Sequence, residues 1–483
     1  MSEALTVAVT RGVRASLVAQ GLKLALQIGS VSILARLLDP DAYGLVAMAA
    51  LVIGVAELFR DAGLANAALR APDLTIHQRD NLFWINTSIG CVLATAFAAL
   101  APVVAAGFGH DELTGICLGL APTFVWSGMA TQYRVGLLRD LRVQTLAVCE
   151  VAGMLAALTV AVVGAGAGLG YWALVLQQSL GGLLGLVVMV VSAGWLPGRF
   201  RRGSGTVPIL RLGGRFLGAS LMAYVQSNLD SILIGRLLGP ASLGLYNRCI
   251  QLIRVPLRQV QAPYASVALP VLSRLQHDPR RFVGFVERLQ LISAYPVLLG
   301  AAVVVAGRRD VVDLALGPRW TAAADVLGWV AAGNAMAAAG AAAGSIYVAM
   351  GLGRELQRFS SVNVVIVVIC LVVGTAGGLP GIAAGYAAGV TLSWPLTLFF
   401  LARTTGLDLT PLARSGLRAV VVAAVAGMVG AGVGMMLGRL PALVSLATIA
   451  STVALVAGLA GAVPSIRADY RELAATAARV LRG

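Results

Sequence analysis

Three histidines and five cysteines are too few and too scattered to build a metal centre or a disulfide framework. His77, His110 and His277 fall in polar segments, whereas Cys91, Cys117, Cys149, Cys249 and Cys370 fall in apolar ones without paired spacing. Charge is equally scarce. Only 12% of the residues are Asp, Glu, Lys or Arg, against 58% hydrophobic, and the mean hydropathy is +0.87, outside the range of soluble globular chains. Long polar stretches are missing too: the intervals between apolar runs reach about twenty residues, too short for a soluble domain of its own. The run VGAGAGLG from Val163 to Gly170 lacks the GxGxxG spacing of a dinucleotide loop. Nothing in the chain asks for a cofactor.

What is present are about fourteen apolar segments long enough to cross about 30 Å of hydrocarbon. The first, 16–38, has no small-residue cleavage site behind it, so it reads as a retained span with the mature chain beginning at or near Met1. Orientation follows from the basic residues, which collect on the cytoplasmic side of a membrane protein. With a cytoplasmic N-terminus, most of the 36 Lys and Arg fall in inner loops and tails, densest from Arg199 to Arg215, while the outer loops carry acidic groups such as Asp39, Asp111 and Asp310. Both termini are therefore expected in the cytoplasm. The net charge of +15 is largely this bias facing anionic lipid, and no nucleic acid is needed to explain it.

The chain also carries a repeat. RLLDPDAYGL, Arg36 to Leu45, returns as RLLGPASLGL, Arg236 to Leu245, with six of ten residues identical. Six spans separate the copies, an even number, so the halves are parallel rather than inverted. The expected fold is all-α: two six-helix lobes around a central cavity plus two further C-terminal helices. The expected division is an N-lobe at 1–196, a basic cytoplasmic linker at 197–215, a C-lobe at 216–403, spans 13 and 14 within 404–463, and a tail at 464–483. Glycines at four-residue intervals, including Gly181 and Gly185, and Gly381, Gly385 and Gly389, predict close helix packing inside the chain.

Charges within spans carry the functional information, because each costs about 2.5–3.5 kcal/mol at a helix centre on insertion scales. Span 1 has a polar stripe of Ser16, Gln20, Lys23, Gln27 and Ser30. Span 8 (244–270) aligns Asn247, Gln251, Arg254 and Arg258, and span 7 (216–238) aligns Ser220, Tyr224, Ser227 and Ser231 at the same offsets. Spans 1, 7 and 8 are thus expected to line the cavity. Arg254 and Arg258 lie about 15 and about 21 Å below the outer corner, and Lys23 about 10 Å above the inner face. A cationic centre at that depth suits an anion arriving from the cytoplasm, and arginine suits phosphate because its planar fork donates in pairs. Glu57, Arg60 and Asp61 on span 2 are close enough to neutralise one another. Arg134 and Arg248 sit near span ends and are expected to snorkel, an option open to Lys23 as well. Glu57, Asp61, Glu150 and Asp230 are candidate carriers of a coupling ion, with membrane potential as the alternative drive. Tyr224, Asn228, Asn247 and Gln251, with Gln20 and Gln27 on span 1, are candidates to meet sugar hydroxyls or to satisfy neighbouring helices.

ARLLDPDAYGL, the downstream DAGLANAAL from Asp61 to Leu69 and, above all, GLYNRCIQLIRVPLRQVQAPYASVALPVLSRLQ from Gly244 to Gln276 resemble the polysaccharide-exporting flippases of the MOP superfamily. Within it the chain is most similar to the Wzx and colanic-acid-exporter branch, related to lipid II flippases and MATE exporters, and the resemblance covers essentially the whole chain. It implies a transporter, not an enzyme, that moves undecaprenyl-diphosphate-linked oligosaccharide from the inner to the outer leaflet by alternating access. Membrane lipids would be its surroundings, and a polysaccharide polymerase and export machinery its partners. The resemblance further implies that Lys23, Arg60, Arg254 and Arg258, with Arg248 nearby, grip the diphosphate, and that spans 13 and 14 form a groove for the polyprenyl tail. The competing readings are a lipid II flippase, a MATE-like exporter of multidrug cations, which would favour acids in the cavity, and a membrane polymerase or ligase, which would need a large catalytic outer loop.

Overall fold

In hydrocarbon a backbone N–H or C=O finds no water, so an apolar chain satisfies these groups within its own helices. The computed structural model does so: every regular element among the described residues is helical. The structure describes residues 2–60, 75–201, 217–437 and 440–482. In order the elements are α1 Ser2–Leu37, α2 Pro40–Arg60, α3 Ile76–Phe108, α4 Glu112–Leu120, α5 Pro122–Arg139, α6 Val143–Gly166, α7 Tyr171–Ala193 and α8 Leu217–Leu275. They continue with α9 Pro279–Ala306, α10 Arg308–Ala315, α11 Ala323–Ala349, α12 Gly353–Gly374, α13 Gly378–Thr405, α14 Thr410–Leu437, α15 Ala442–Ala460 and α16 Pro464–Arg482. Ten helical stretches among the described residues are long and apolar enough to cross a membrane, and one of them, 353–405, contains two of the expected spans. The apolar segment expected to span at 113–138 is α4 and α5 in succession. Spans 7 and 8 form one assigned helix, α8, broken only at Gly239, whose φ of 78° and ψ of −177° leave the helical region.

By packing the chain divides into two compact units, Met1–Gly244 and Leu245–Gly483. The division falls at the second corner, later than the 197–215 segment, because the first half of α8 is held within the first unit. Tyr224 donates to the Leu51 carbonyl at 2.9 Å, and its ring lies where a side chain on Gly54 would be. The two copies of the corner phrase meet reciprocally. A Cβ on Gly44 would collide with the Pro240 carbonyl, and one on Gly244 with the equivalent Pro40 carbonyl. The glycines shared by the two copies are therefore what lets the copies touch. Alanine at Gly44 or Gly244 is expected to destabilise by about 1–3 kcal/mol through overpacking, whereas Gly284→Ala, which meets nothing within 4 Å, should not. Thermal unfolding in detergent measures the difference; equal melting temperatures for all three variants would refute the contact.

The spaced glycines serve packing within each unit, as expected. In the first, Gly181 and Gly185 on α7 face Ala157 and Gly153 on α6; in the second, Gly381, Gly385 and Gly389 on α13 face Gly374, Cys370 and Val367 on or next to α12. A capping box of Thr75 and Gln78 starts α3. The helix then fastens the chain leaving α7. Asn81 exchanges two bonds with the Arg201 backbone at 2.6 and 2.9 Å, Trp84 donates to the Gly198 carbonyl at 2.7 Å, and Arg79 stacks over Trp195. His77 is in the first turn of α3 beside Arg201.

In the second unit, α9, α11, α14 and α15 share a core of small and aliphatic residues from Leu291 to Ala457. Residues 464–482, expected only as a tail, form the strongly amphipathic α16, which docks by charge. Arg418 on α14 forks onto Asp469 at 2.8 and 2.6 Å, Tyr295 donates to the same carboxylate at 3.1 Å, and Arg288 meets Glu472 at 2.8 Å.

Candidate functional site

Two sites, one in each unit, hold the sequence-derived candidates. In the first unit α1, α2, α5, α6 and α7 surround a cavity of about 620 Å³. Lys23, Glu57, Arg60, Arg134 and Glu150 all line it, together with Gln177 and Gln178. Glu150 is the hub: its two carboxylate oxygens accept separately from Lys23 on α1 and Arg134 on α5. Arg60 donates to Ser127 at 2.8 Å and meets Glu57 at 3.4 Å. Three cations against two carboxylates leave the lining with one excess positive charge.

Several expectations change here. Lys23 does not snorkel, and in this structure its ammonium is engaged by Glu150. Arg134 is not merely a headgroup anchor: although its side chain is 56% exposed, it reaches the same carboxylate. The mutual neutralisation expected on span 2 holds for Glu57 and Arg60, while Asp61 lies outside the described residues. The polar stripe of α1 splits: Lys23 and Ser30 face the unit, with Gln177 donating to Ser30 at 3.2 Å, whereas Gln20 and Gln27 are exposed. Tyr224 and Asn228 bond to backbone carbonyls, Asn228 to that of Tyr224 at 2.8 Å. Both therefore satisfy helices in this structure. Asp230 is buried and accepts the Ser231 N–H at 2.7 Å.

In the second unit Arg254, half-buried on α8, donates through Nε to the Asn334 side-chain oxygen at 3.2 Å and lies 3.5 Å from the Tyr386 hydroxyl. Asn334 is itself fixed on α11, donating to the Val330 carbonyl at 2.8 Å. A guanidinium that bonds side chains on two other helices is a positioned cation. Sequence reading missed Asn334 and Tyr386; their signal is a polar side chain set directly between glycine and alanine, in α11 and α13. Arg258 is exposed, Asn247 is half-buried, and Arg248 donates to Gln251 at 2.7 Å within α8. On the same stretch of α8, Leu252, Ile253, Pro256 and Leu257 line an apolar cavity of about 270 Å³ against Pro296 and Ala331. Among the described residues no cluster of His, Cys, Asp and Glu is arranged to hold a metal.

An all-helical, many-span chain with cations positioned inside its spans has the architecture of a membrane transporter. Its fold matches that of the lipid II flippase MurJ in an inward closed conformation, at a TM-score of 0.69 and 11% identity over 94% of this chain and 99% of that one. A family model described as "polysaccharide biosynthesis protein" matches residues 33–325, and the chain belongs to that family. Among its relatives are the lipopolysaccharide biosynthesis protein WzxC of Escherichia coli K12, 25% identical over 80% of this chain and 77% of the relative, and the teichuronic acid biosynthesis protein TuaB of Bacillus subtilis, 25% identical over 79% of each.

Proposed function

We propose that this protein is a flippase that carries an undecaprenyl-diphosphate-linked oligosaccharide from the inner to the outer leaflet of the bacterial cytoplasmic membrane by alternating access, with both termini in the cytoplasm. The observation that carries this reading is Arg254, a cation within a membrane-spanning protein, aimed by Asn334 and Tyr386. Such a group is costly in a bilayer and is kept where an anion must be met. The relatives' roles in polysaccharide biosynthesis and the fold shared with a lipid II flippase supply the class of anion, a lipid diphosphate bearing sugar. Arg258 and the cations of the first unit add to the same electrostatic preference, and the surplus of positive charge there disfavours a cationic drug as cargo.

The apolar cavity lined by Leu252 and Pro256 opens on the same stretch of α8 that carries Arg254, consistent with a cargo that has a polar head and a long apolar tail. The sugar-assembling enzymes would supply this cargo on the inner face, and a polymerase would consume it on the outer face. Depletion of the protein tests the reading. The undecaprenyl-linked repeat unit should accumulate, detected by mass spectrometry of extracted lipid, while cell-surface polymer declines. Normal polymer with no lipid-linked intermediate accumulating would overturn the assignment.

A further inference from the structure

In the first-unit cavity two cations from different helices, Lys23 and Arg134, share one acid, Glu150. We propose that Glu150 is a resident counter-anion: it occupies the place of the cargo's diphosphate between Lys23 and Arg134, and the diphosphate takes both cations from it during transport. This inference rests on the flippase reading above and adds to it an anion site built within the first unit, with Arg134 as a contributing cation.

The geometry supports an exchange. Lys23 and Arg134 come from different helices, α1 and α5, and each engages its own oxygen of Glu150 on α6. Converging cations around a two-oxygen anion is the arrangement a diphosphate requires, with more acceptor oxygens to offer. The groups facing Glu150 from the surrounding helices are Lys23 on α1, Glu57 and Arg60 on α2, and Arg134 on α5, while α7 contributes the neutral Gln177 and Gln178. Arg60 is positioned by Ser127 as a third cation. The cavity of about 620 Å³ is large enough for a diphosphate and part of a sugar.

The exchange also explains why an acid stands in an anion site. Without Glu150, Lys23 and Arg134 would wait for cargo without their shared acid, at a cost. They would then hold the diphosphate too firmly to release it. With Glu150, each cargo that binds leaves a carboxylate deprived of its partners, and that cost is recovered when the cargo departs. A transporter gains from binding that is reversible on both sides.

The test uses the full-length protein in lipid nanodiscs, with undecaprenyl diphosphate as the lipid probe and inorganic pyrophosphate as the headgroup alone. Glu150→Gln should bind undecaprenyl diphosphate about tenfold more tightly than wild type, equivalent to about 1.4 kcal/mol, while export in cells falls. Pyrophosphate should show the same ordering if the site reads the diphosphate rather than the tail. A tighter-binding, slower-exporting variant is not what a merely structural ion pair predicts. Unchanged or weaker binding by a folded Glu150→Gln protein, with wild-type binding intact, overturns the counter-anion role and leaves the flippase reading standing. Failure of both proteins to bind either probe sinks both readings. If Glu150→Gln does not reach the membrane, Lys23→Gln decides instead: binding must weaken about tenfold, and unaltered binding rejects the proposal.

Discussion

Arg254→Gln is expected to abolish export, and Arg258→Gln to impair it, at matched membrane abundance. Arg254 is held by neutral partners, Asn334 and Tyr386, at 3.2 and 3.5 Å. Its removal leaves Asn334 still anchored to the Val330 carbonyl at 2.8 Å, so the fold should survive. What disappears is a guanidinium fork that meets phosphate with paired, charge-assisted bonds. Truncating one partner of such a desolvated pair costs about 2–5 kcal/mol, which is about thirtyfold or more in headgroup affinity. Arg254→Lys keeps the charge and loses the fork, so it should fall between wild type and Gln. Arg248→Gln should change little, because Arg248 lies at the end of its span, about 6 Å from the outer corner at Gly244. Export is read from cell-surface polymer and from accumulated lipid-linked intermediate. Full export by the Arg254→Gln, Arg258→Gln double variant would show that α8 does not grip the cargo.

The largest loss of stability should follow from Arg418→Ala. Asp469 is 4% exposed and rests on three donors: two from Arg418 at 2.8 and 2.6 Å, and the Tyr295 hydroxyl at 3.1 Å. Removing the guanidinium leaves a buried carboxylate facing only a neutral hydroxyl, and breaking a buried pair in this way costs about 3–5 kcal/mol. The converse change, Asp469→Asn, should cost less. It removes the negative charge but retains an acceptor, and it leaves the uncompensated charge on Arg418, which is 27% exposed and can draw on water. The order of the two variants is thus part of the prediction. Thermal unfolding in detergent measures it, and trypsin cleavage at Arg467 and Arg471, both exposed on α16, reports release of the helix. Equal stability of wild type and Arg418→Ala would mean that the docking of α16 rests on its apolar face alone. That face includes Tyr470, which packs on Tyr295, donates to the Ala457 carbonyl at 2.7 Å, and has its phenol pKa pushed up by burial and by neighbouring Asp469.

Much of the architecture is legible without coordinates because hydropathy acts on each segment separately. A run of apolar residues must be helical in a bilayer whatever its neighbours do, so the all-α, many-span fold follows from composition and run length. The duplicated corner phrase is legible for the same reason, as a local identity. Its consequence is not: the glycine and proline of one copy meet the proline and glycine of the other, a contact between residues some 200 positions apart that a sequence comparison has no means to register.

The candidate site divides along the same line. Spacing placed Lys23, Arg60, Arg134 and Glu150 inside or near spans, and marked Arg254 as a cation in a span, 244–270, that holds no acid. Pairing across helices lay outside that reading. Glu150 follows Lys23 by 127 residues and Arg134 by 16, and only the convergence of α1, α5 and α6 brings both cations to one carboxylate. Asn334 and Tyr386 lie 80 and 132 residues beyond Arg254, in spans whose small residues advertise packing rather than chemistry. Helix α16 carries its charges in plain view, yet only the placement of Arg418 and Tyr295 turns Asp469 from a solvated acid into a buried anchor. The sequence by itself determined that this chain is a duplicated, many-span membrane protein with an excess of cations in its spans, because insertion energies add residue by residue. Only the tertiary structure decided which cations are compensated and which are aimed, because a charge in a low-dielectric interior takes its character from whatever lies within a few ångströms, and those neighbours come from distant parts of the chain.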